Sequence, residues 1–339
     1  MRPARNRARI LSFALVLLLL VPFAAGCART PERRSVTYFD LFDTQTEFTA
    51  YGLDREAFDK AARELHAELF RWHTLADPYH AYEGLVNLYA INERGEKTEF
   101  ELEPELFSLF ELGRTFYDES GGKLNVAMGS VLSLWHDCFK SGDRIPETEA
   151  LEQAGGHIGF SSVSLDAQKR TIRIGDSGVR FDLGALTKGA AADAAGKLLS
   201  GLGVKDYALN LGGNVLVSGK KPGGNWAIGV QNPKGGILTR LSLCDISAVT
   251  SGDYQRCMTV DGRTYHHIID PDTYAPASLY RSVTVLCASS ALADALSTSL
   301  FCMEKTQGRT LAEKYGAEVL WVYADGHTER TEGFAAYEA

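Results

Sequence analysis

The chain has 339 residues, 45% of them hydrophobic and 23% charged, with a net charge of −8. That balance excludes a disordered or fibrous chain, and the lack of a basic tract after the first residues argues against nucleic acid as a partner. Cysteines 138, 244, 257, 287 and 302 show no CxxC or close pairing, which fits neither a disulfide framework nor a zinc site.

Residues 1–26 read as a targeting segment. Arg2, Arg5, Arg7 and Arg9 form a basic region, and ILSFALVLLLLVPFAA is too short and too early for a comfortable membrane span. The segment ends in AAGC. A cysteine directly after the cut fits a bacterial lipoprotein signal, with the Cys27 thiol diacylated and the chain held to a membrane by lipid. A plain signal peptide with an incidental cysteine is the alternative. The expected organisation is a signal over 1–26, a tether over 27–36 and one domain over 37–339. The mature chain, about 310 residues, is long enough for a large core.

YFDLFDTQTEFTAYG alternates as an opening strand. DREAFDKAARELHAELFRWHTLA then carries Phe58, Ala62, Leu65, Leu69 and Trp72 at helical spacing behind Asp54 as N-cap. His66 and His73 lack a partner at ligand spacing, which favours packing or solvent roles over metal. DPYHAYEGLVNLYAINERG reads as a loop whose Tyr79 and Tyr82 serve either as core aromatics or as a stacking face for a planar ring. EPELFSLFELGRTFYDESGG is a second amphipathic helix, with Pro104 in its first turn and Gly121 closing it. In KLNVAMGSVLSLWHD, glycine either lets backbone approach a ligand or makes a simple turn.

VSLDAQKRTIRIG reads as a hairpin and FDLGAL as a short strand. The next helix is rich in Ala190, Ala191, Ala192, Ala194, Ala195 and Gly196, so close packing between other elements is expected. Lys188 near its start disfavours the helix dipole unless an anion or acid is near. It marks either a phosphate cradle or a solvent-facing lysine. YALNLGGNVLVSG reads as a strand broken by Gly212 and Gly213, and NWAIGVQNP and RLSLCDISAVTSGDY continue the sheet. From Ala248 to Pro276 the pattern is strand, Asp261-Gly262 turn, strand. His266 and His267 close it, facing opposite ways. SVTVLCAS is a buried strand, SSALADALSTSLFCM a helix and AEVLWVYADG a last strand. Antiparallel hairpins interrupted by helices indicate an α+β fold.

Asp294 and Thr298 share one side of that helix. Ala293, Ala295, Leu296, Leu300 and Phe301 make it apolar on most sides, so Asp294 is expected to be buried and in need of a partner. Oxygen ligands completed by phosphate suit Mg²⁺ better than zinc. The alternative is a helix face satisfying itself. His266 or His267 is the best general-base candidate. The residues alone therefore support either a Mg²⁺-phosphate site with a histidine base or a mere binding fold.

SGDYQR, TYHHIIDPDTYAPA and ADALSTSLF, preceded by FDLGALTKGAAADAAG and LNLGGNVLVSG, closely resemble the FAD:protein FMN transferases, the ApbE-type flavin transferases. The resemblance runs in order along the mature chain and includes DPYHAYEGLVNLYAIN and LNVAMGSVLSLW. It implies an ApbE-like α+β fold of antiparallel or mixed sheets with packed helices. It also implies transfer of the FMN half of FAD onto a Thr or Ser hydroxyl of an acceptor redox protein, with AMP released and Mg²⁺ required.

Carried over by motif, Asp294, Thr298 and the Ala185 carbonyl would hold the metal. Tyr79, Ala127, Met128, Asp182, Lys188 and Ile269 would contact the flavin nucleotide. His267 would be the base, with His266 structural. Phe42, Asp43 and Thr44 replace the family's Met-Gly-Thr, and Tyr274 replaces the glycine of DPxTG, which puts that turn's geometry in question. The implied setting is lipid anchoring on the extracytoplasmic face of a bacterial membrane. An FAD pyrophosphatase and a non-catalytic flavin-binding lipoprotein are the rival readings.

Overall fold

A computed structural model describes residues 31–339. The signal segment and Cys27 lie outside the described residues. Phe42 and Asp43 both adopt left-handed backbone, φ 55° and 52°, as the central pair of a tight hairpin does. The opening stretch is therefore not one strand but two, β1 (Arg33–Leu41) and β2 (Thr44–Tyr51), paired antiparallel. β1 takes in Arg33 to Val36 of the expected tether.

An Asp54 carboxylate oxygen accepts the Ala57 N–H at 2.8 Å and starts α1 (Arg55–Ala76), whose apolar stripe is buried as its spacing predicts. The tyrosine-rich loop contains a short helix, α2 (Leu88–Asn92), capped by Asn87. After β3 (Glu99–Glu101) comes α3 (Pro104–Glu119), with proline in its first turn, then α4 (Gly129–Ser141) and α5 (Thr148–Gly155). β4 (Val163–Asp166) and β5 (Thr171–Ile174) form the expected hairpin.

FDLGAL is not a strand. The Asn92 side chain takes both the N–H and the carbonyl of Phe181, at 2.8 and 2.9 Å, so no strand partner can reach them. Asp182 Oδ1 accepts the Gly184 N–H at 2.8 Å, and α6 (Gly184–Gly201) begins there. Gly212 and Gly213, φ 59° and 98°, do not interrupt one strand but turn the chain from β6 (Tyr207–Leu211) into β7 (Asn214–Ser218). β8 (Trp226–Gln231) and β9 (Ile237–Leu243) pair with each other apart from the main sheet. The chain reverses at Cys244 and Asp245 into β10 (Ile246–Gly252).

β11 (Cys257–Val260) and β12 (Arg263–His266) make the predicted hairpin about Asp261 and Gly262. β13 (Tyr280–Cys287), α7 (Ser290–Phe301), α8 (Lys305–Lys314) and β14 (Glu318–Tyr323) follow, and β15 (Thr328–Arg330) rather than β14 is the final strand. The main sheet runs β1-β2-β6-β7-β10-β13-β14-β15 with antiparallel neighbours throughout. The fold class is α+β. The main core, including Phe48, Leu209, Val249, Val283 and Leu296, joins one face of the sheet to the helices. A smaller core with Trp226, Leu241, Leu243 and Phe334 joins the other face to the β8–β9 hairpin.

α6 packs between α1 and α7, and its small residues explain how. A Cβ on Gly189 would stand 2.4 Å from the Ser290 carbonyl oxygen, 2.6 Å from Asp294 Cβ and 2.8 Å from Ala291 Cα. Asp193, one turn on, binds the start of α7: it accepts from Ser289 Oγ at 2.6 Å, the Ser290 N–H at 2.8 Å and the Ala291 N–H at 3.1 Å. A carboxylate there also suits the helix dipole. Gly129 likewise answers to protein rather than ligand, since a Cβ would meet the Arg180–Phe181 peptide at 2.7 Å.

Gly189→Ala is therefore expected to force α6 and α7 apart and to cost about 1–3 kcal/mol. At Gly196 the nearest atoms are side-chain ends 3.2 Å away, so Gly196→Ala should be much milder. Thermal unfolding of the two variants checks this. Equal midpoints would show that the close crossing is not needed.

Candidate active site

The close crossing of α6 and α7 buries a carboxylate. Asp294 is 4% exposed, and its Oδ2 accepts the Gly189 N–H at 2.8 Å. In a regular helix that amide belongs to the Ala185 carbonyl, so the two oxygens compete for one donor. Burial raises the Asp294 pKa, while Lys188, the Gly189 amide and Asn214 oppose the rise. Asn214 faces this carboxylate without completing a hydrogen bond of normal geometry: its Nδ2 is buried and unpartnered, and its Oδ1 is held by Ser290 Oγ at 2.7 Å. Thr298 is half-buried one turn along, with Oγ1 3.4 Å from Ser251 Oγ.

Among the described residues no group of three or more His, Cys, Asp or Glu could hold a metal ion. A cation here would draw on one carboxylate, a hydroxyl and a carbonyl. A buried, under-neutralised carboxylate with a hydroxyl one helical turn away fits a hard, oxygen-seeking ion such as Mg²⁺.

The β11–β12 hairpin separates its two histidines. His266 is buried, with Nε2–H directed to the Ala277 carbonyl at 2.8 Å and Nδ1 receiving the Ile268 N–H at 3.3 Å. Both nitrogens are engaged, and burial lowers its pKa. His267 follows the strand end and is half-buried. Its backbone N–H and its Nδ1 both reach the Arg256 carbonyl, at 3.1 and 3.3 Å. A carbonyl only accepts, so Nδ1 carries the proton and Nε2 keeps its lone pair. Burial first, then the positive charges of Arg256 and Lys188, push the His267 pKa down to about 4. At neutral pH it is an uncharged proton acceptor.

The nucleotide contacts implied by the motifs fall into three groups. Lys188 acts electrostatically on both His267 and Asp294, and its Nζ lies 3.2 Å from the Gly184 carbonyl. Met128 and Ile269 are buried in one apolar cluster with Trp135 and Met258. Ala127 is fully buried, its carbonyl accepting the Gly159 N–H and its own N–H bound to Asn125 Oδ1, both at 3.0 Å. Tyr79 is 53% exposed, and the charge of Asp182 acts on its hydroxyl after burial does. The charge of Arg256 acts on both Tyr79 and His267.

Four contributors escaped the motifs: Arg256, Asn214, His136 and Lys123. Arg256 sits inside SGDYQR, but nothing in spacing says that its carbonyl orients an imidazole eleven residues on. Lys123 Nζ bridges Asp270 and Asp272 at 2.8 Å each and so braces the turn after the histidines. In that turn Tyr274 keeps the glycine-like conformation, φ 56°, at about 1–2 kcal/mol of backbone strain. Its N–H bonds the Asp270 carbonyl at 2.9 Å, its carbonyl takes the Trp135 indole N–H at 2.8 Å, and its ring lies against Gly155.

The ApbE family model matches residues 42–321, from the β1–β2 turn into β14. The chain belongs to the ApbE family. A Treponema pallidum protein named FAD:protein FMN transferase is 32% identical over 267 residues, 73% of each chain. A Rhodobacter capsulatus protein of the same name is 31% identical over 301 residues, 85% of this chain and 55% of that longer one. The crystal structure of an ApbE protein from Thermotoga maritima matches 91% of this chain and all of its own, with TM-score 0.81 and 28% identity. That likeness bears out the ApbE-like α+β fold.

NMR titration tests the electrostatics of this ApbE site. His267 is expected to titrate well below 6.5, near 4, and Arg256→Gln to move that value upward. Between those pH values the unfolded chain binds the extra proton. The group's share of stability is therefore complete above about 6.5 and is lost as pH falls toward 4. A His267 signal titrating at an ordinary 6.5 would contradict the assignment.

Proposed function

We propose that this chain is a Mg²⁺-dependent FAD:protein FMN transferase that modifies a Ser or Thr hydroxyl of an acceptor protein. The observation that carries the reading is His267, an imidazole whose Nδ1–H is fixed on a backbone carbonyl while Nε2 stays free. Membership of the ApbE family supports the substrate class.

In the proposed reaction the acceptor oxygen attacks the phosphorus on the FMN side of FAD. A new phosphoester bond forms and the pyrophosphate P–O bond breaks. AMP leaves with the bridging oxygen, and the hydroxyl proton passes to His267 Nε2. Asp294, Thr298 and the Ala185 carbonyl would hold Mg²⁺, which when bound supplies charge neutralisation at the pyrophosphate. Lys188 offers a further positive charge beside that position. Phosphoryl transfer asks mostly for such positioning and neutralisation.

The N-terminal motif further supports export and lipid attachment through Cys27, with the domain on the extracytoplasmic face of a bacterial membrane. Mass spectrometry of the mature N-terminal peptide is expected to find acylated Cys27. An unmodified cysteine, or a peptide that still carries the first 26 residues, would overturn the anchor.

Incubation of the full chain with FAD, Mg²⁺ and a candidate acceptor redox protein should give a fluorescent band in a denaturing gel and an FMN-sized mass increase. His267→Ala should lose transfer by about 10²-fold or more while FAD still binds. Asp294→Ala should lose the Mg²⁺-dependent rate altogether. Free FMN formed equally well without acceptor would identify a hydrolase instead. Near-normal flavinylation by His267→Ala would remove the base from the mechanism.

A further inference from the structure

His136 belongs to none of the implied contacts, yet it stands between two of them. It lies within α4 beside Trp135, whose indole is tied to the Tyr274 carbonyl. Its Nδ1 is 3.0 Å from the Tyr79 hydroxyl, and its Nε2 is 3.8 Å from Asp182 Oδ2. With Nε2–H toward the carboxylate, Nδ1 accepts and the tyrosine hydroxyl donates.

The backbone under Tyr79 is already held. Asp77 is buried and takes the Tyr79 and His80 N–H groups on Oδ1, at 2.7 and 3.2 Å. Rotation of the exposed ring is the freedom that remains, and His136 restricts it. Asp182 is held in turn by the Gly184 N–H. A loop, the middle of α4 and the entry to α6 thus present an aromatic face and a carboxylate edge together. Such a pair suits a flat heteroaromatic ring that stacks through its face and donates N–H groups from its edge.

Resting on the function proposed above, we propose that His136 is a positioning residue for recognition of one FAD ring system, holding Tyr79 for the ring face beside the Asp182 carboxylate that meets its N–H edge. Isoalloxazine and adenine both offer that chemistry, and separate binding of FMN and AMP distinguishes them.

Calorimetric titration of the full chain with FAD, FMN and AMP tests the assignment. His136→Ala should weaken FAD about five- to tenfold, the scale of one hydrogen bond, and weaken only one of FMN and AMP. The rate at saturating FAD should stay within about twofold, since the loss falls on binding. His136→Gln, which can still donate and accept, should restore much of the affinity. In combination with Tyr79→Phe the losses should be less than additive, because either change frees the same ring. Unchanged affinity for all three ligands in His136→Ala, with FAD binding weakened in Tyr79→Ala, would overturn the role of His136 and leave the transferase reading standing. FAD binding undiminished in both variants would remove the ring subsite as well.

Discussion

The hydrogen bond from the Gly189 amide to Asp294 is the constraint on which the rest of the site depends. It forms only because residue 189 lacks a side chain, which lets two helices approach to backbone contact. A carboxylate carried into such a place cannot be hydrated and has one good donor. Asp193 fixes the register of the crossing by binding the first amides of α7, and so sets the heights of Asp294 and Thr298, one turn apart, relative to the start of α6. Helix packing and ligand geometry are here a single problem. The small residues of α6 serve both.

The base is positioned by different means. A two-stranded hairpin is marginal alone, and β11–β12 stands outside the main sheet. Its rigidity is borrowed from both ends. At the start, Arg281 is ion-paired with Asp253 and holds the loop that delivers Arg256. At the finish, His266 is sealed onto the Ala277 carbonyl, and Lys123 clamps the Asp270 turn. Tyr274 shows how firmly that turn is determined. Its left-handed backbone is kept without glycine because ring packing and the Trp135 bond offset the strain.

Much of this was legible in the sequence because it is local. Helical spacing gave α1, α3 and α7, and Asp261-Gly262 gave the hairpin. The alternation rule parted His266 from His267. Errors arose where distant residues decide. FDLGAL has strand-like residues, but Asn92, 89 positions away, takes the backbone groups a strand would need. Gly212-Gly213 and Phe42-Asp43 are tight turns, yet only the first has glycines to announce one, and even those read as a break within a strand. The contribution of Arg256 is a main-chain carbonyl, which no residue type advertises. His136 and Lys123 act through partners 57 and 147 residues away.

The charge layout adds a step that neither the motifs nor the fold states separately. His267 lies within the influence of two cations, Lys188 and Arg256, which weaken it as a base while they are uncompensated. On the proposed function, the negative charge of a bound pyrophosphate would oppose both. Part of the depression would then lift, and the imidazole would gain basicity as substrate arrives. The same cations that would attract the nucleotide keep the base weak until it is there. Coupling of this kind needs no moving part. It needs only that phosphate, guanidinium, ammonium and imidazole share one cleft, with the buried carboxylate on α7 close enough to feel Lys188 as well.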